Sequence, residues 1–234
     1  MLKRGSDAVH RATMNRDALK RAAARAALDR VLPQLARDSI IGIGTGSTTN
    51  CFIDELAKHK GVFDAAVASS NASAKRLREL GIAVIDLNAA PEIGVYVDGA
   101  DEIDRARRMI KGGGGALARE KIVATASREF VCIVDDAKLV ERLGACPLPV
   151  EVLPMARGLA ARALVALGGT PVYREGFVTD NGNVIIDVSG LDLGDPGAME
   201  SRINDVVGVV CNGIFAHRPA DVVIVASEAG IRTL

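Results

Sequence analysis

The first half of the chain alternates short, continuously apolar runs with stretches in which apolar residues recur every three or four positions. The short runs predict strands at 39–43, 65–68, 83–86, 94–97 and 130–134, and the periodic stretches predict helices at 17–32, 49–58, 73–80 and 116–127. This alternating order is typical of an α/β domain with a mostly parallel, Rossmann-like sheet and right-handed crossovers. Sites in such sheets lie at the carboxyl ends of the strands, so the residues that follow each strand are the first candidates for function.

The pattern changes after Pro147. Strands are predicted at 150–153, 171–174, 184–188 and 209–215, helices at 156–167 and 196–206, and a turn at 180–182. The resulting β-α-β-β-α-β order predicts a smaller, ferredoxin-like α+β domain over 146–216. A last apolar run at 221–227 predicts a C-terminal strand that returns to the first sheet. We therefore assign 14–145 plus 217–234 to the Rossmann-like domain, and 1–13, which lack periodicity, to a disordered extension.

A glycine-rich loop, GIGTGST at 42–48, follows the first predicted strand and opens a helix. Backbone N–H groups and hydroxyls at such a helix start suit a phosphate. The loop has no Walker lysine, Ser47 stands where a dinucleotide fingerprint has its third glycine, and the next strand is followed by SSN at 69–71, without the acidic residue that binds a ribose. A small phosphate ester is therefore a better candidate than a dinucleotide, and we call residues 42–48 the phosphate loop. A tight turn with a Ser/Thr cap remains the alternative.

The densest group of candidate catalytic residues lies at 95–121. Asp98 ends a predicted strand, Asp101 follows in a turn, and Lys111 leads into four consecutive glycines. Carboxylates, an ammonium and free backbone N–H groups are what proton transfer beside a stabilised oxyanion requires. The DGAD turn at 98–101 could alone be ordinary turn chemistry. We expect Lys111 to follow the next strand at the same sheet edge, which favours a site.

Glu120 lies in the helix that the four glycines open. Its neighbours at three and four positions are Ala116, Leu117, Val123 and Ala124, so no cation stands where an ion pair on the helix surface would need one. These apolar neighbours predict partial burial, which raises the pKa of a carboxylic acid. Glu120 is therefore the predicted general base.

Lys138 follows the strand predicted at 130–134 and lies in the first turn of a short helix. The helix dipole disfavours a cation there, so we expect Lys138 to meet another anion. A loose ion pair with Glu141 is the alternative.

Composition narrows the function classes. The 29 basic and 29 acidic residues cancel, and with five Phe, two Tyr and no Trp there is little for stacking on bases, so nucleic acid is not an expected partner. The four cysteines form no C-x-x-C or Cys/His pattern, which argues against a zinc site and a disulfide framework and favours the cytoplasm. No apolar run is long enough to predict a membrane span.

Six motifs in order resemble the type A family of ribose-5-phosphate isomerases. They are GIGTGST at 42–48, SSNAS at 69–73, YVDGADEID at 96–104, IKGGGGALAREK at 110–121, PLPVEVLPMA at 147–156 and VTDNGNVIIDV at 178–188. The resemblance covers nearly everything from Met14 onward. It implies the two-domain fold described above, an isomerase of the non-oxidative pentose phosphate pathway, a homodimer or homotetramer, and neither metal nor cofactor.

The resemblance also implies a set of site residues. The implied catalytic residues are Glu120, as the base, with Asp98, Asp101 and Lys111. The implied substrate-binding residues are Lys20, Thr45, Gly46, Ser47, Thr48, Asp98, Gly99, Ala100, Asp101, Lys111, Gly112, Gly113, Gly114 and Lys138. The reaction would move a proton between the two carbons of an enediolate, reversibly converting D-ribose 5-phosphate to D-ribulose 5-phosphate.

Three other function classes remain as alternatives. A sugar-phosphate-sensing domain could use the same phosphate loop without turnover, but it would not need Glu120 and Lys111 together, and no helix-turn-helix pattern precedes Ser39. An acyl-CoA transferase relative would use a glutamate as nucleophile and depend on CoA. A nicotinamide-dependent oxidoreductase is disfavoured by the missing third glycine and acidic residue.

Overall fold

The structure is a computed structural model that describes residues 4–234, with side chains described from Arg16 onward. The disordered extension predicted over 1–13 lies outside the residues whose side chains are described, so it stays a prediction. Among the described residues, no helix combines the length and the apolar character that crossing a bilayer requires.

The helices are α1 Arg4–Val31, α2 Ser47–Leu56, α3 Asn71–Glu79, α4 Leu117–Ala126, α5 Arg157–Ala166 and α6 Pro196–Asn204. The strands are β1 Ile40–Ile43, β2 Ala65–Ala68, β3 Ile93–Asp98, β4 Glu102–Ile103, β5 Met109–Ile110, β6 Ser127–Asp135, β7 Leu148–Val152, β8 Thr170–Tyr173, β9 Val184–Ser189, β10 Val209–Asn212, β11 Ile214–Phe215, β12 Val222–Ser227 and β13 Gly230–Thr233.

The largest sheet has six strands in the order β13-β12-β6-β3-β1-β2, and all neighbours are parallel except the antiparallel pair β12 and β13. One apolar core fills the face covered by α1 and α2, where Ala27 and Phe52 are fully buried. A second core fills the opposite face, where Val123 of α4 packs with Tyr96 of β3. The mostly parallel sheet and the returning strand β12 confirm the predicted fold class.

The second sheet is antiparallel, with the order β10-β7-β9-β8. Together with α5 and α6 its strands follow one another as β-α-β-β-α-β, as predicted for the smaller domain. We call the residues from Leu148 to Asn212 the antiparallel unit. The exact boundaries, 146–216 for this domain and 14–145 plus 217–234 for the other, stay predictions.

The strand predicted at 83–86 is wrong. Only one isolated parallel bridge, between Ala66 and Val84, continues the sheet past β2. The Asp86 side chain accepts a hydrogen bond from the backbone N–H of Asn88 at 2.7 Å, which turns the chain into a short 3-10 helix, Leu87–Ala89. A local side-chain bond therefore replaces further pairing with the sheet.

Lys111 reaches the site from a different sheet than predicted. The strand before it, β5, belongs to a small antiparallel sheet in the order β11-β5-β4, and not to the parallel sheet. The strand predicted at 209–215 is accordingly broken at Gly213 into β10 and β11. Gly213 accepts a backbone hydrogen bond from Lys111, and a Cβ at Gly213 would lie 2.2 Å from the Lys111 carbonyl oxygen. The break therefore lets two backbone segments approach closely beside the site.

Candidate active site

A cavity of about 370 Å³ opens at the carboxyl ends of β1, β3 and β6. Almost all of the predicted site residues line it. They are Lys20, Thr45, Gly46, Ser47, Thr48, Gly99, Ala100, Asp101, Lys111, Gly112, Gly113, Gly114, Glu120 and Lys138. The exception is Asp98, which does not line the cavity. The topology thus brings together segments that are far apart in the sequence.

The Lys111 ammonium lies between two carboxylates at the cavity wall. Its Nζ is 2.7 Å from Oδ2 of Asp98 and 3.3 Å from Oε2 of Glu120, and it donates to the Gly99 carbonyl oxygen at 2.6 Å. Lys111 is 2% exposed. Burial lowers its pKa, but the charges of Asp98 and Glu120 more than offset this, so the pKa is raised and the ammonium keeps its charge.

Glu120 is 4% exposed, which confirms the burial that its apolar neighbours predict. Its Oε2 is buried, and its contact there is the ion pair with the Lys111 Nζ at 3.3 Å. Burial raises the pKa of Glu120 to about 8; the charge of Asp98 adds to the rise and that of Lys111 opposes it. A buried carboxylate at the cavity wall with a pKa near neutrality is suited to taking up and returning a proton.

Asp98 is fully buried behind Lys111. Its Oδ1 accepts hydrogen bonds from the backbone N–H groups of Thr45 and Gly99 at 2.9 and 2.8 Å and from the Thr49 hydroxyl at 3.2 Å. Its Oδ2 accepts from the Tyr96 hydroxyl. These donors and the Lys111 ammonium occupy both oxygens, so Asp98 holds the phosphate loop and the ammonium in place.

The close packing around Asp98 explains a glycine in the loop that follows β1. A Cβ at Gly44 would lie 1.9 Å from both Cγ and Oδ1 of Asp98. The Asp98 carboxylate therefore occupies the space that any larger side chain at this position would need.

Asp101, in contrast, lines the cavity. Its Oδ2 accepts a hydrogen bond from the Gly113 N–H at 2.8 Å, which ties it to the glycine loop. A Cβ at Gly113 would approach the Asp101 Oδ1 to 2.8 Å, and Gly112 has φ +107°. Glycine is needed at these two positions because the backbone lies close to a carboxylate and adopts a left-handed conformation.

The opposite end of the cavity is built for an anion. Helix α2 begins at Ser47, and its N-cap Gly46 provides no side-chain cap, so the first backbone N–H groups face the cavity together with the Ser47 and Thr48 hydroxyls. Lys138 lines the same cavity from a 3-10 helix, and the predicted alternative, an ion pair with Glu141, is not formed. Lys20 lies nearby, with Asp17 at 3.3 Å.

Arg16 is the functional candidate that sequence reasoning missed. It lines the cavity from α1, four residues before Lys20 and so on the same helix face. Thr49, Val134, Asp135 and Ala137 also line the cavity without having been predicted. The spacing of Arg16 and Lys20 was the available signal, but it could be used only once α1 was known to pass over the cavity.

Comparison with known proteins shows which family the chain resembles. Residues 65–230 match the family model of ribose 5-phosphate isomerase A (phosphoriboisomerase A). The matched segment contains Asp98, Asp101, Lys111, Glu120 and Lys138. The phosphate loop precedes it.

Solved structures extend the similarity to 93–94% of the chain. Ribose 5-phosphate isomerase A from Neisseria gonorrhoeae is 46% identical, with a TM-score of 0.88 over 94% of this chain and 96% of that one. The enzyme from Methanocaldococcus jannaschii is 37% identical, with a TM-score of 0.86 over 93% and 98%. A D-ribose-5-phosphate isomerase in complex with phospho-erythronic acid is also 37% identical, with a TM-score of 0.86 over 93% and 97%.

Proposed function

Because the chain belongs to the ribose 5-phosphate isomerase A family, we propose that it interconverts D-ribose 5-phosphate and D-ribulose 5-phosphate with Glu120 as the general base. The observation that carries this assignment is the buried Glu120 carboxylate, paired with Lys111, at the wall of a cavity whose other end suits a phosphate. The family match and the isomerase relatives favour turnover over the alternative of a sensing domain.

The reaction begins with a proton transfer from carbon. In the open-chain aldose, Glu120 takes the proton from C2, the electron pair of that C–H bond forms the C1–C2 double bond, and the π pair of the C1 carbonyl moves to O1 to give an enediolate. A proton then moves from O2 to O1, the electron pair on O2 forms the C2 carbonyl, and the C1–C2 π pair takes the proton back from Glu120 at C1. One carboxylate can serve both carbons because C1 and C2 are adjacent and can be reached from the same face of the planar intermediate.

Lys111 is suited to stabilise the oxygen that becomes negative. Its ammonium is fixed by Asp98 Oδ2 and the Gly99 carbonyl, so it needs little reorganisation when charge develops. The N–H groups of the loop at 112–114 line the same part of the cavity and are further donors. Preorganised donors of this kind lower the barrier because their charges are already oriented in a site that excludes water.

The two aspartates take different roles in this proposal. Asp101 lines the cavity and is suited to bind sugar hydroxyls, to assist ring opening and to relay the oxygen-bound proton. Asp98 acts through Lys111 and the phosphate loop, since its oxygens are already occupied by protein donors. Its burial argues against the direct substrate contact that the family resemblance implied.

The phosphate end gives a prediction about substrate affinity. Replacing Lys20 or Arg16 with Met should raise KM for ribose 5-phosphate by about tenfold, because a hydrogen bond to a charged group contributes roughly 1.5–3 kcal/mol. The value of kcat should stay within about twofold, since the phosphate is remote from C1 and C2. Initial rates over a range of substrate concentrations measure both constants.

Arg21→Met is the matched control, because Arg21 is an exposed arginine on the same helix and does not line the cavity. Its KM should equal that of the wild type. If Arg21→Met raises KM as much as Arg16→Met does, the effect comes from the general field of α1 and not from contact with the phosphate.

The raised pKa of Glu120 gives a prediction about pH. A carboxyl group must be ionised to act as a base, so kcat/KM for ribose 5-phosphate should rise with pH and level off above about 8, the pKa of Glu120. Ionisation of the substrate phosphate, which occurs near pH 6, affects only the acid end of the profile. A profile that is flat between about pH 6 and pH 9 would show a base with an ordinary carboxyl pKa.

The activity itself is tested by mixing the purified protein with ribose 5-phosphate in excess EDTA and following the formation of ribulose 5-phosphate. We expect turnover in the presence of the chelator, and deuterium from D₂O at the C1 carbon of the product, because the proton on Glu120 exchanges with solvent. Absence of turnover by folded protein that still binds the sugar phosphate would instead support a sensing domain.

The cytoplasm and the non-oxidative pentose phosphate pathway are the proposed setting, and the free state of the four cysteines fits a reducing compartment. We also propose a homodimer or homotetramer. Fully exposed Met155, together with Val172 and Val207 at 62% and 76% exposure, offers apolar surface on the antiparallel unit for a second copy.

A further inference from the structure

The side chains of three consecutive residues of α4 point in different directions and contact different parts of the molecule. Glu120 faces the cavity, whereas Arg119 and Lys121 reach the antiparallel unit and the strand that follows it. Successive residues of an α-helix are about 100° apart around the axis, so Arg119 and Lys121 lie on opposite sides of Glu120. Contacts on both sides restrain rotation of the helix in both directions.

Arg119 joins three segments through one guanidinium. It donates from Nε to Oδ1 of Asn181 at 2.7 Å, from Nη2 to the Asp180 carbonyl oxygen at 2.7 Å, and from Nη1 to Oδ1 of Asn71 at 3.0 Å. Asp180 Oδ2 in turn accepts from the Asn71 N–H at 2.7 Å. The start of α3 and the turn before β9 are thereby bonded to α4 and to each other.

The turn at 179–183, which accepts hydrogen bonds from Arg119, is itself held by a buried carboxylate. Glu151 of β7 is fully buried, and its Oε1 accepts from the Thr179 hydroxyl and from the side-chain amides of Asn181 and Asn183 at 2.9, 3.0 and 2.8 Å. A turn held by three hydrogen bonds to one buried carboxylate is a rigid support. Arg119 therefore transmits the position of the antiparallel unit to the helix that carries Glu120.

Lys121 makes the corresponding contact on the other side. Its Nζ donates to Oε1 of Glu200 and to the Ile214 carbonyl oxygen, both at 2.6 Å, and it lies 4.9 Å from the centroid of the Phe215 ring. Glu200 is 2% exposed. Its other oxygen accepts from the backbone N–H of Ala216 at 2.9 Å, so this support is also bonded on more than one side.

Leu117, at the start of α4, is fully buried in an apolar cluster with Ile185 of the antiparallel unit. Such packing is non-directional, so it does not by itself fix the rotation of the helix. Its N-cap, Ala116, provides no side-chain hydrogen bond, and the segment before it is a run of glycines with high backbone freedom. We propose that Arg119 and Lys121 are positioning residues that orient Glu120 by bonding α4 to the turn at 179–183 and to Glu200. The antiparallel unit is then part of the catalytic apparatus although it contributes no catalytic residue. This inference rests on the proposed role of Glu120 as the base.

The expected effect is on turnover and not on affinity. A misplacement of a reacting group by about 1 Å lowers the rate by up to about 100-fold. The groups that would bind the phosphate lie on α1, α2 and the 3-10 helix at Lys138, and none of these elements bonds to Arg119. Loss of Arg119 should therefore lower kcat and leave KM nearly unchanged.

The test compares Arg119→Met with Arg76→Met. Arg76 is a matched control because it also makes three side-chain hydrogen bonds, all to Asp54, and has similar exposure, 40% against 33% for Arg119. We expect Arg119→Met to lower kcat at least tenfold with KM within about twofold, and Arg76→Met to change neither constant by more than about twofold. Asn181→Ala, made on the other side of the contact, should reproduce the loss of kcat.

The pH profile separates a displaced base from a general loss of stability. Lys111, Asp98 and Asp101 face the Glu120 carboxylate and stay in place in Arg119→Met. If α4 turns and water reaches the carboxylate, the limb of the kcat profile that Glu120 sets should move to lower pH, because burial is the largest cause of its raised pKa. Instability alone would lower the rate at every pH without moving the limb.

Two results would overturn the inference: equal kcat values for Arg119→Met and Arg76→Met, or a change in KM alone. If Arg119→Met does not fold, Asn181→Ala decides by the same two criteria. Failure of the proposed function looks different, because Glu120→Gln would then keep its turnover. An inactive Glu120→Gln beside a fully active Arg119→Met and Asn181→Ala would reject only the positioning role.

Discussion

Replacing Glu120 with Gln lowers kcat for ribose 5-phosphate by about 100- to 10,000-fold, which is the contribution that acid–base catalysis commonly makes. Gln has nearly the same shape as Glu but cannot accept the C2 proton. Lys111 keeps its contacts with Asp98 at 2.7 Å and with the Gly99 carbonyl at 2.6 Å, so the donor for the oxyanion stays in place. The loss should therefore appear in kcat, with little change in KM.

The control for this variant is its own stability. The pKa of Glu120 in the folded protein, about 8, exceeds that of a carboxyl group in an unfolded chain, so the folded state binds more protons between these values. The free energy of unfolding therefore falls as pH rises through this range, and this loss is absent in Glu120→Gln. The variant should be at least as stable as the wild type at about pH 9, and it should still bind ribose 5-phosphate. A folded, ligand-binding Glu120→Gln with normal turnover would show that the base is another group.

The order of the elements could be predicted because each depends on a local pattern. Apolar runs placed β1, β3 and β6, and the late run at 221–227 placed β12 beside them. Of the two-residue strands, β5 was predicted as the strand before Lys111, but in the parallel sheet, and β4 was not predicted. β5 pairs with β11, about a hundred residues further along the chain, and β4 pairs with β5. A pairing between segments as distant as β5 and β11 cannot be deduced from local periodicity.

The sequence predicted which residues form the site more fully than it predicted how they are arranged. Asp98 and Asp101 appeared equivalent in the sequence, since both flank one turn. The structure distinguishes them, because donors from β3, the phosphate loop and Lys111 surround Asp98, whereas Asp101 meets the cavity. The contacts of Arg119 with Asn71 and Asn181 could not be predicted from the sequence either, because they join residues that are distant in the chain.

Replacing Lys111 with Met should lower kcat by about 100- to 1,000-fold, the usual effect of removing a group that stabilises an oxyanion. The ammonium is the cation that faces Asp98 and Glu120 together, at 2.7 and 3.3 Å. Asp98 keeps its hydrogen bonds from Thr45, Thr49, Gly99 and Tyr96. Glu120 has no comparable donors. Its pKa, which the charge of Lys111 lowers, should therefore rise further in the variant.

This rise makes the stability of Lys111→Met depend on pH in a defined direction. At about pH 6 Glu120 is protonated in both proteins, so part of the usual loss of about 3–5 kcal/mol for breaking a buried ion pair is avoided. Above about pH 8 the wild-type carboxyl is ionised while that of the variant still holds its proton, so the stability of the variant continues to fall as pH rises. The raised pKa of Lys111 contributes stability that is fully present throughout this pH range, because the ammonium stays charged well above pH 8.

Unfolding in urea at about pH 6 and at about pH 9 tests this prediction. The difference in the free energy of unfolding between Lys111→Met and the wild type should be larger at the higher pH. Lys75→Met, which removes only an exposed contact of 3.8 Å with Glu79, should show no such trend. A difference that is the same at both pH values would mean that Lys111 does not control the ionisation of Glu120.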